Sequence, residues 1–274
     1  LPLVLVMPLA AWLIGRWLGR AMQPLVAMAQ ALAQRGSGDL SPLPSDDQPR
    51  ELAQLANSMN ALMARLERAL RQEREFAAQA AHELRTPLSN LMTQTQVVLT
   101  RARSAEEYRE VLASNMEEYE RLARMIGDML FLAQADNSLV TPRKEEVDLA
   151  REVARLLEFY EALAAESGVR LEAVGAVHVA ADRLMLQRAL SNLISNAIRH
   201  TRRGGTVSVR LAGEAGQAVI SVDNPGEIPA QHLPRLFDRF YTGDPARRAS
   251  GEGAGLGLAI TRSIVAAHGG SITA

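Results

Sequence analysis

The chain has 274 residues, enough for more than one domain, and its formal charge of −1 gives no general attraction to nucleic acid or acidic partners. It contains no cysteine, which excludes disulfide bonds, thiol catalysis and cysteine metal sites. Aromatic residues make up only 4% of the chain, whereas alanine and leucine are abundant, which favours helices. We therefore expect a largely helical, multidomain protein with no direct nucleic acid partner.

The first stretch is apolar from Leu1 to Ile14, and only arginines carry charge before the first acidic residue, Asp39. This run is shorter than the ~20 residues that span a bilayer, so a signal-peptide core or a buried helix are alternative interpretations. Both tryptophans of the chain fit an interfacial aromatic belt, and the arginines fit the cytoplasmic side of a membrane. We expect residues 1–19 to be the end of a truncated transmembrane helix.

Two helical segments are predicted next, separated by a connector without periodicity. Residues 20–35 form the first, with Pro24 near its start, and glycines and prolines then interrupt the pattern. From Glu51 onwards, apolar residues recur in alternating steps of three and four, which is the spacing of a coiled-coil seam. These seam positions are Leu52, Leu55, Met59, Leu62, Leu66 and Leu70.

A second heptad series begins after a predicted capping box formed by Ser104 and Glu107. Its seam positions are Tyr108, Leu112, Asn115, Tyr119, Leu122, Ile126, Met129 and Ala133. Helices over 51–101 and 105–135 are therefore predicted to form an antiparallel hairpin. Each helix is apolar along one stripe, so two hairpins would complete a four-helix bundle in a homodimer. Pairing with the C-terminal part of the same chain is the alternative.

After a polar linker over 136–141, the pattern changes to mixed helices and strands. Asp148 and Asp182 are predicted to cap helices. The predicted elements are helices to about Ser167 and His200, strands over 169–171 and 177–179, a hairpin of 206–211 with 218–222, and a last helix over 257–268. The segment 224–256 between them is rich in glycine and proline, and irregular segments of this length are usually functional.

His82 is the most informative residue of the helical half. It lies beside Glu83 on a long predicted helix whose buried stripe consists of Leu84, Leu88 and Leu91. At ~100° per residue, His82 is about 200° around the helix from Leu84, so it points to solvent or to a partner. Taken alone, it is best interpreted as a solvated surface histidine.

Four short patterns in the C-terminal half contain residue types suited to a nucleotide. Asn192 and Asn196 share one helix face, and an amide oxygen can bind Mg²⁺. Asp223 at a strand end could accept a hydrogen bond from an exocyclic amine, although an ordinary turn explains it equally well. Residues 236–241 form an aromatic cluster. The glycines of 251–257 let backbone N–H groups approach phosphate at a helix start, and no βαβ unit precedes them, which excludes a Rossmann site.

In this order the patterns resemble the sequence boxes of sensor histidine kinases of two-component systems. The sequence AHELRTPL around His82 resembles their phosphoacceptor box. The other four patterns resemble the N, G1, F and G2 boxes of their Bergerat-type ATP-binding domain, and NPGEIPAQHLPRLFDRFY resembles the heavy-metal-sensor branch. The implied domains are a HAMP-like linker over 20–72, a dimerisation and histidine phosphotransfer domain over 73–136, and a C-terminally truncated ATP-binding domain with an α/β sandwich over 142–274.

The resemblance also implies a role for each residue. His82 accepts the γ-phosphoryl group, Glu83 orients and polarises the imidazole, and Thr86 helps to place water when such proteins act as phosphatases. Asn196 is the implied Mg²⁺ ligand. The implied ATP-binding residues are Asn192, Asn196, Arg199, His200, Asp223, Gly226, Arg247, Gly253, Gly255, Gly257 and Leu258.

The expected protein is thus a sensor histidine kinase of the bacterial inner membrane, with this fragment on the cytoplasmic side. It would use ATP and Mg²⁺ to phosphorylate His82 and pass the phosphoryl group to an aspartate of a response-regulator receiver domain. A catalytically weak dimeric scaffold or phosphatase is the second hypothesis. A Bergerat-type ATPase related to chaperones or topoisomerases is the third, and it is disfavoured because Asn192 stands where those ATPases need a glutamate.

Overall fold

The computed structural model describes residues 7, 12–17, 19, 22–23, 26–27, 29–30, 39–43, 50–136, 139–214, 216–243 and 254–274. They belong to two compact units, Leu1–Ala78 and Gln79–Ala274. Most of the predicted membrane segment 1–19, together with Pro24 and much of 20–35, lies outside the described residues. Within the described part of the chain, no helix combines the length and apolarity needed to cross a bilayer.

In the first unit, the connector backbone is attached to the first long helix, α1 (Arg50–Leu99), at Leu43. Leu43 is buried and packs with Ala56, Met59 and Met63. The Asn60 side chain bonds both backbone groups of Leu43: its Oδ1 accepts from the N–H at 2.6 Å, and its Nδ2 donates to the carbonyl at 3.0 Å. A side-chain amide thus satisfies a buried loop backbone that no strand or helix would otherwise satisfy.

The predicted helices of the hairpin are confirmed as α1 and α2 (Ala105–Asp136). The predicted capping box at the start of α2 is also confirmed. The Ser104 N–H donates to the Glu107 carboxylate at 2.8 Å, and the Glu107 N–H donates to the Ser104 hydroxyl at 3.2 Å. This reciprocal pair satisfies donors that would otherwise be orphaned at the helix start.

The residues on and beside the seam of the hairpin divide into a buried set and an exposed set. Asn115 and Met129 are buried within the chain, whereas a second apolar set on α2 is exposed: Leu112, Met116, Tyr119, Ile126 and Leu130. On α1, Leu91 is buried and Leu84 is half-buried, but Leu88 is 52% exposed. The prediction of a buried Leu84–Leu88–Leu91 stripe is therefore wrong for Leu88 within one chain, because the apolar face is wider than one neighbouring helix can cover.

The C-terminal part is an α/β domain whose helices pack on two small sheets. Its elements are β1 (Glu145–Asp148), α3 (Leu149–Ser167), β2 (Arg170–Val174), β3 (His178–Ala181), α4 (Arg183–His200), β4 (Thr206–Glu214), β5 (Gln217–Asp223), a 3₁₀ turn (Leu233–Arg235) and α5 (Gly257–Ala267). β2 is parallel to β4, β4 is antiparallel to β5, and β1 pairs antiparallel with β3. The predicted class, a helical hairpin followed by an α/β domain, is confirmed.

Both predicted aspartate caps are confirmed. Asp148 accepts from the Arg151 N–H at 3.2 Å, and Asp182 accepts from the Met185 N–H at 3.1 Å. The core beneath these helices is complete within the chain; its fully buried members include Leu149, Val153, Leu190, Ile194, Ile198, Val207 and Val209. The helices that carry the N and G2 patterns, α4 and α5, pack against each other.

Candidate functional site

A cavity of about 1180 Å³ gathers most of the predicted nucleotide-binding residues. Its described walls come from α4, the segment after β5, the start of α5 and one face of α2. The predicted residues that line it are Asn192, Asn196, Arg199, His200, Gly226, Gly255, Gly257 and Leu258. Arg247 and Gly253 lie outside the described residues.

Asn192 connects the two helices that carry the cavity. Its side-chain Nδ2 donates to the carbonyl of Gly257, the first residue of α5, at 3.1 Å. A Cβ atom at position 257 would lie 3.4 Å from Asn192 Cγ, so the glycine leaves room for this approach. The buried Thr261 hydroxyl donates to the same carbonyl at 2.9 Å. Asn192 therefore positions the glycine-rich segment against α4.

Asn196 lies one turn further along α4, and its amide forms no hydrogen bond with any described residue. Its oxygen is thus available to a ligand in the cavity. Among the described residues, no group of three or more His, Cys, Asp or Glu side chains could hold a metal ion. A single amide oxygen fits Mg²⁺, which usually retains several waters and is bound through substrate phosphates. On the same face, Arg199 Nε donates to the Ser195 carbonyl at 3.2 Å.

Asp223 lies at the end of a strand, as predicted. It ends β5, it is not among the residues that line the cavity, and its carboxylate pairs with Arg210 at 2.8 Å. The next residue, Asn224, lines the cavity instead. Successive side chains of a strand point to opposite faces, so the end of β5 decides which of two neighbouring polar residues faces the site. Asn224 was not among the residues selected from the sequence.

Gly255 is required by a close approach of two backbone segments. It has a φ of +65°, and a Cβ atom there would lie 2.8 Å from the Phe240 carbonyl carbon and 2.9 Å from the backbone carbonyl oxygen of Tyr241. Phe240 is buried, and the Tyr241 hydroxyl lies 2.5 Å from His232 Nδ1. The predicted aromatic cluster of 236–241 therefore packs against the segment at the start of α5.

The predicted phosphoacceptor residues lie on α1 and none of them lines the cavity. His82 and Thr86 are exposed, and Glu83 is half-buried. The His82 imidazole forms no hydrogen bond within the described part of the chain. Both ring nitrogens are therefore accessible to a reacting group.

The fourth wall of the cavity is a face of α2 that the sequence did not indicate. Arg121, Arg124, Met125 and Asp128 line the cavity from this helix. Arg188 of α4 holds the face in place, because its guanidinium lies 2.5 Å from the Asp128 carboxylate and 4.6 Å from the centroid of the Phe131 ring. The hairpin thus contributes directly to the predicted nucleotide site.

Three parts of the chain match known protein families. Residues 181–274 match the family described as histidine kinase-, DNA gyrase B-, and HSP90-like ATPase. Residues 72–138 match the His Kinase A (phospho-acceptor) domain, and residues 22–68 match the HAMP domain of PhoQ-like sensor proteins. The sensor histidine kinase CusS of Escherichia coli (strain K12) is 50% identical over 226 residues, which are 82% of this chain and 47% of CusS.

Two solved structures show a similar fold. Full-length ShkA in complex with AMPPNP is 25% identical with a TM-score of 0.52, covering 73% of this chain and 42% of that chain. Histidine kinase ThkA in complex with response regulator protein TrrA is 22% identical with a TM-score of 0.58, covering 76% of this chain and 59% of that chain. The chain spans about half the length of the curated relatives that it matches.

The fold and the cavity define a phosphoacceptor hairpin followed by an ATPase domain of the histidine-kinase type. The chain belongs to the sensor histidine kinases of two-component systems. Its similarity to CusS confirms the predicted resemblance to the heavy-metal-sensor branch of that family.

Proposed function

We propose that the chain is an ATP-dependent histidine kinase that phosphorylates His82 and transfers the phosphoryl group to an aspartate of a response regulator. The observation that carries the proposal is that one cavity gathers eight of the residues predicted from the N, G1 and G2 patterns. Residues 72–138, which include His82, match a phosphoacceptor domain. This match supports His82 as the residue that receives the phosphoryl group. The AMPPNP complex of ShkA supports ATP as the nucleotide.

Phosphoryl transfer requires mainly positioning and neutralisation of charge. A neutral ring nitrogen of His82 attacks the γ-phosphorus, the bond from phosphorus to the bridging oxygen breaks, and ADP leaves. Glu83, the neighbouring carboxylate, orients the imidazole and stabilises the positive charge that it acquires. Because His82 does not line the cavity, the ATP-binding domain moves relative to α1 before transfer, as lids and domains do in many enzymes.

Within the cavity, each described residue has a proposed task. Asp223, at the end of β5, and Asn224, which lines the cavity, are the proposed contacts of the adenine. The N-terminal end of α5, with Gly255 and Gly257 before and at its start, offers backbone N–H groups to the phosphates. Asn196 is the proposed ligand of Mg²⁺, which would neutralise phosphate charge when bound. Arg247 and Gly253 remain proposed phosphate contacts from the sequence alone.

We further propose a homodimer in which the exposed apolar faces of two hairpins meet. The exposed set on α2 and the buried Asn115 support it. Asn115 Nδ2 donates to Thr95 at 3.4 Å, but its buried Oδ1 has no partner among the described residues. A second copy would cover the stripe and could supply the missing donor. The complex of ThkA with TrrA supports a receiver domain as the phosphoryl acceptor, and the HAMP match supports attachment to a membrane through 1–19.

The test is incubation with γ-labelled ATP and Mg²⁺, comparing the wild type with His82→Gln and Asn196→Ala. We expect acid-labile, base-stable label on the wild type and none on either variant. His178→Gln is a matched control, because His178 is an exposed histidine on β3 and does not line the cavity. Label that survives His82→Gln contradicts the assignment of the phosphoacceptor.

A dimeric scaffold or phosphatase is the second candidate function. The exposed Thr86, one turn after His82, is the observation that favours phosphatase activity. Wild-type protein that binds ATP without becoming labelled, yet removes phosphate from a phosphorylated receiver domain, would establish this function. Loss of that activity in Thr86→Ala would assign it to the hairpin.

A further inference from the structure

The cavity has two helical walls with the same residue spacing. On α4 its lining residues are Asn192, Ser195, Asn196, Arg199 and His200, and on α2 they are Arg121, Arg124, Met125 and Asp128. The α2 set and the first four residues of the α4 set step by three, one and three residues, so each lies on a single helix face about two turns long. A ligand held by one of these faces therefore lies within a space that the other face also bounds.

Contacts between protein side chains, without any bound nucleotide, hold the face of α2 at the cavity. Arg188 pairs with Asp128 and covers the Phe131 ring, and Arg188 is one turn before Asn192 on α4. Beyond this contact, Leu132 is fully buried and α2 packs against α5. Arg239 and Asp136 form a further ion pair at the end of α2. Arg121 and Arg124 thus belong to a helix that packs against both α4 and α5, the two helices of the ATPase domain that line the cavity.

The partners of these arginines within α2 bind them only weakly. Arg121 lies 3.5 Å from Glu118, and Arg124 lies 3.8 Å from Glu120 with its side chain 69% exposed. The Arg121–Glu118 pair is partly buried but long, and the exposed Arg124–Glu120 pair is of the surface kind that contributes little to stability. An anion in the cavity can therefore recruit either guanidinium without disrupting the helix.

The charge of the cavity favours the phosphate part of the nucleotide as this anion. Its described lining contains five arginines, namely Arg121, Arg124, Arg199, Arg202 and Arg203, and only two carboxylates. One carboxylate, Asp128, is already paired with Arg188. Asn196, the proposed magnesium ligand, lies on the face of α4. Because Mg²⁺ is usually bound through substrate phosphates, the phosphates of a bound nucleotide would lie next to this face.

We propose that Arg121 and Arg124, which belong to the phosphoacceptor hairpin and not to the ATPase domain, contact the phosphate groups of the nucleotide in the cavity. The inference rests on the proposed function, because it requires ATP to occupy this site. A consequence is that bound nucleotide connects α2 to α4. Nucleotide affinity then depends on the docked position of the hairpin as well as on the ATPase domain.

The test is calorimetric titration of the full chain with Mg-ATP and, separately, with adenosine, which lacks phosphate. The double variant Arg121→Ala/Arg124→Ala is compared with Arg109→Ala. Arg109 is the matched control, because it forms the same i,i+3 pair with a glutamate on α2, at 2.8 Å, and does not line the cavity. It lies twelve residues before Arg121, about 18 Å along the helix.

We expect the double variant to bind Mg-ATP at least about tenfold more weakly, because charge-assisted hydrogen bonds are the stronger class. Adenosine should bind the double variant with the same affinity as the wild type, and this result would also show that the cavity is intact. The Arg109→Ala variant should bind both Mg-ATP and adenosine with wild-type affinity. Unchanged ATP affinity in the double variant overturns the inference, as does an equal loss for adenosine and ATP.

The outcomes also separate this inference from the proposed function. Wild-type protein that does not bind Mg-ATP, or an Asn196→Ala variant that binds it normally, contradicts the nucleotide site itself. Wild-type binding that is lost in Asn196→Ala but retained in the double variant contradicts only the role of the two arginines.

Discussion

The helical hairpin and the α/β domain use their apolar residues in opposite ways. The domain buries its large aliphatic side chains within one chain, with Ile194, Leu149 and Val207 each at 0% exposure. The hairpin leaves an apolar stripe in solvent, with Leu112 at 67% and Tyr119 at 53% exposure. Apolar area removed from water stabilises a fold at roughly 25 cal/mol per Å². The domain thus obtains this stabilisation within one chain, and we propose that the hairpin obtains it fully only with a second copy.

The largest effect should follow from a charge on the exposed stripe. In a symmetric dimer, Leu112→Glu removes two leucines from the interface, each worth ~1.5–3 kcal/mol when buried, and buries two carboxylates. We expect the variant to be monomeric in light scattering at concentrations where the wild type is dimeric. Ser114→Glu introduces the same charge at an exposed polar position of α2 and should stay dimeric. A dimeric Leu112→Glu variant would show that the stripe is not the interface.

A smaller effect is expected from a cavity in the core of the α/β domain. Ile194→Ala should lower the free energy of unfolding by about 2–5 kcal/mol, because Ile194 is fully buried. The loss should be independent of protein concentration, since this core is complete in one chain, whereas loss of the dimer depends on concentration. Thermal unfolding at two concentrations measures both. A midpoint shift in Ile194→Ala that changes with concentration would contradict the contrast between the two regions.

The smallest effect concerns a buried charge that joins two helices of the domain. The Glu152 carboxylate is 4% exposed and accepts from Arg183 at 2.7 Å, Arg155 at 3.0 Å and Gln187 at 2.6 Å. Glu152→Gln removes the charge and should cost about 1–3 kcal/mol of stability at neutral pH. Glu158→Gln, at an exposed position of α3, is the matched control and should cost almost nothing.

The pH dependence of stability gives an independent check on Glu152. Burial raises its pKa, but hydrogen bonds from Gln187 and Arg183 and the charges of Arg183 and Arg155 outweigh burial and lower it below its ordinary value of 4.5. A lowered carboxylate pKa stabilises the fold above pH 4.5, and this stabilisation disappears as the pH falls through the pKa of the folded state. The stability gap between wild type and Glu152→Gln should therefore narrow below about pH 4.5. A gap that persists in acid would contradict the assignment.

Local signals in the sequence predicted most of the elements. The capping box at Ser104 and the caps at Asp148 and Asp182 depend on residues within three positions, so they could be recognised without the fold. Strand β1 (Glu145–Asp148) was missed, because its sequence EEVD has low strand propensity and becomes a strand only by pairing with β3. Strand β2 also extends to Val174, beyond the predicted end at residue 171.

Some of the candidate site residues could likewise be selected from the sequence, and others only from the tertiary structure. The resemblance to the histidine-kinase sequence boxes selected His82, the asparagines of α4 and the glycines around Gly257 as candidates, whereas residue type alone left His82 as a surface histidine. Whether Asp223 or Asn224 faces the cavity depends on where β5 ends. Whether Arg121 and Arg124 belong to the site depends on the docking of α2 through Arg188. The Arg188–Asp128 contact joins residues 60 positions apart, and its geometry arises only when separate elements pack together.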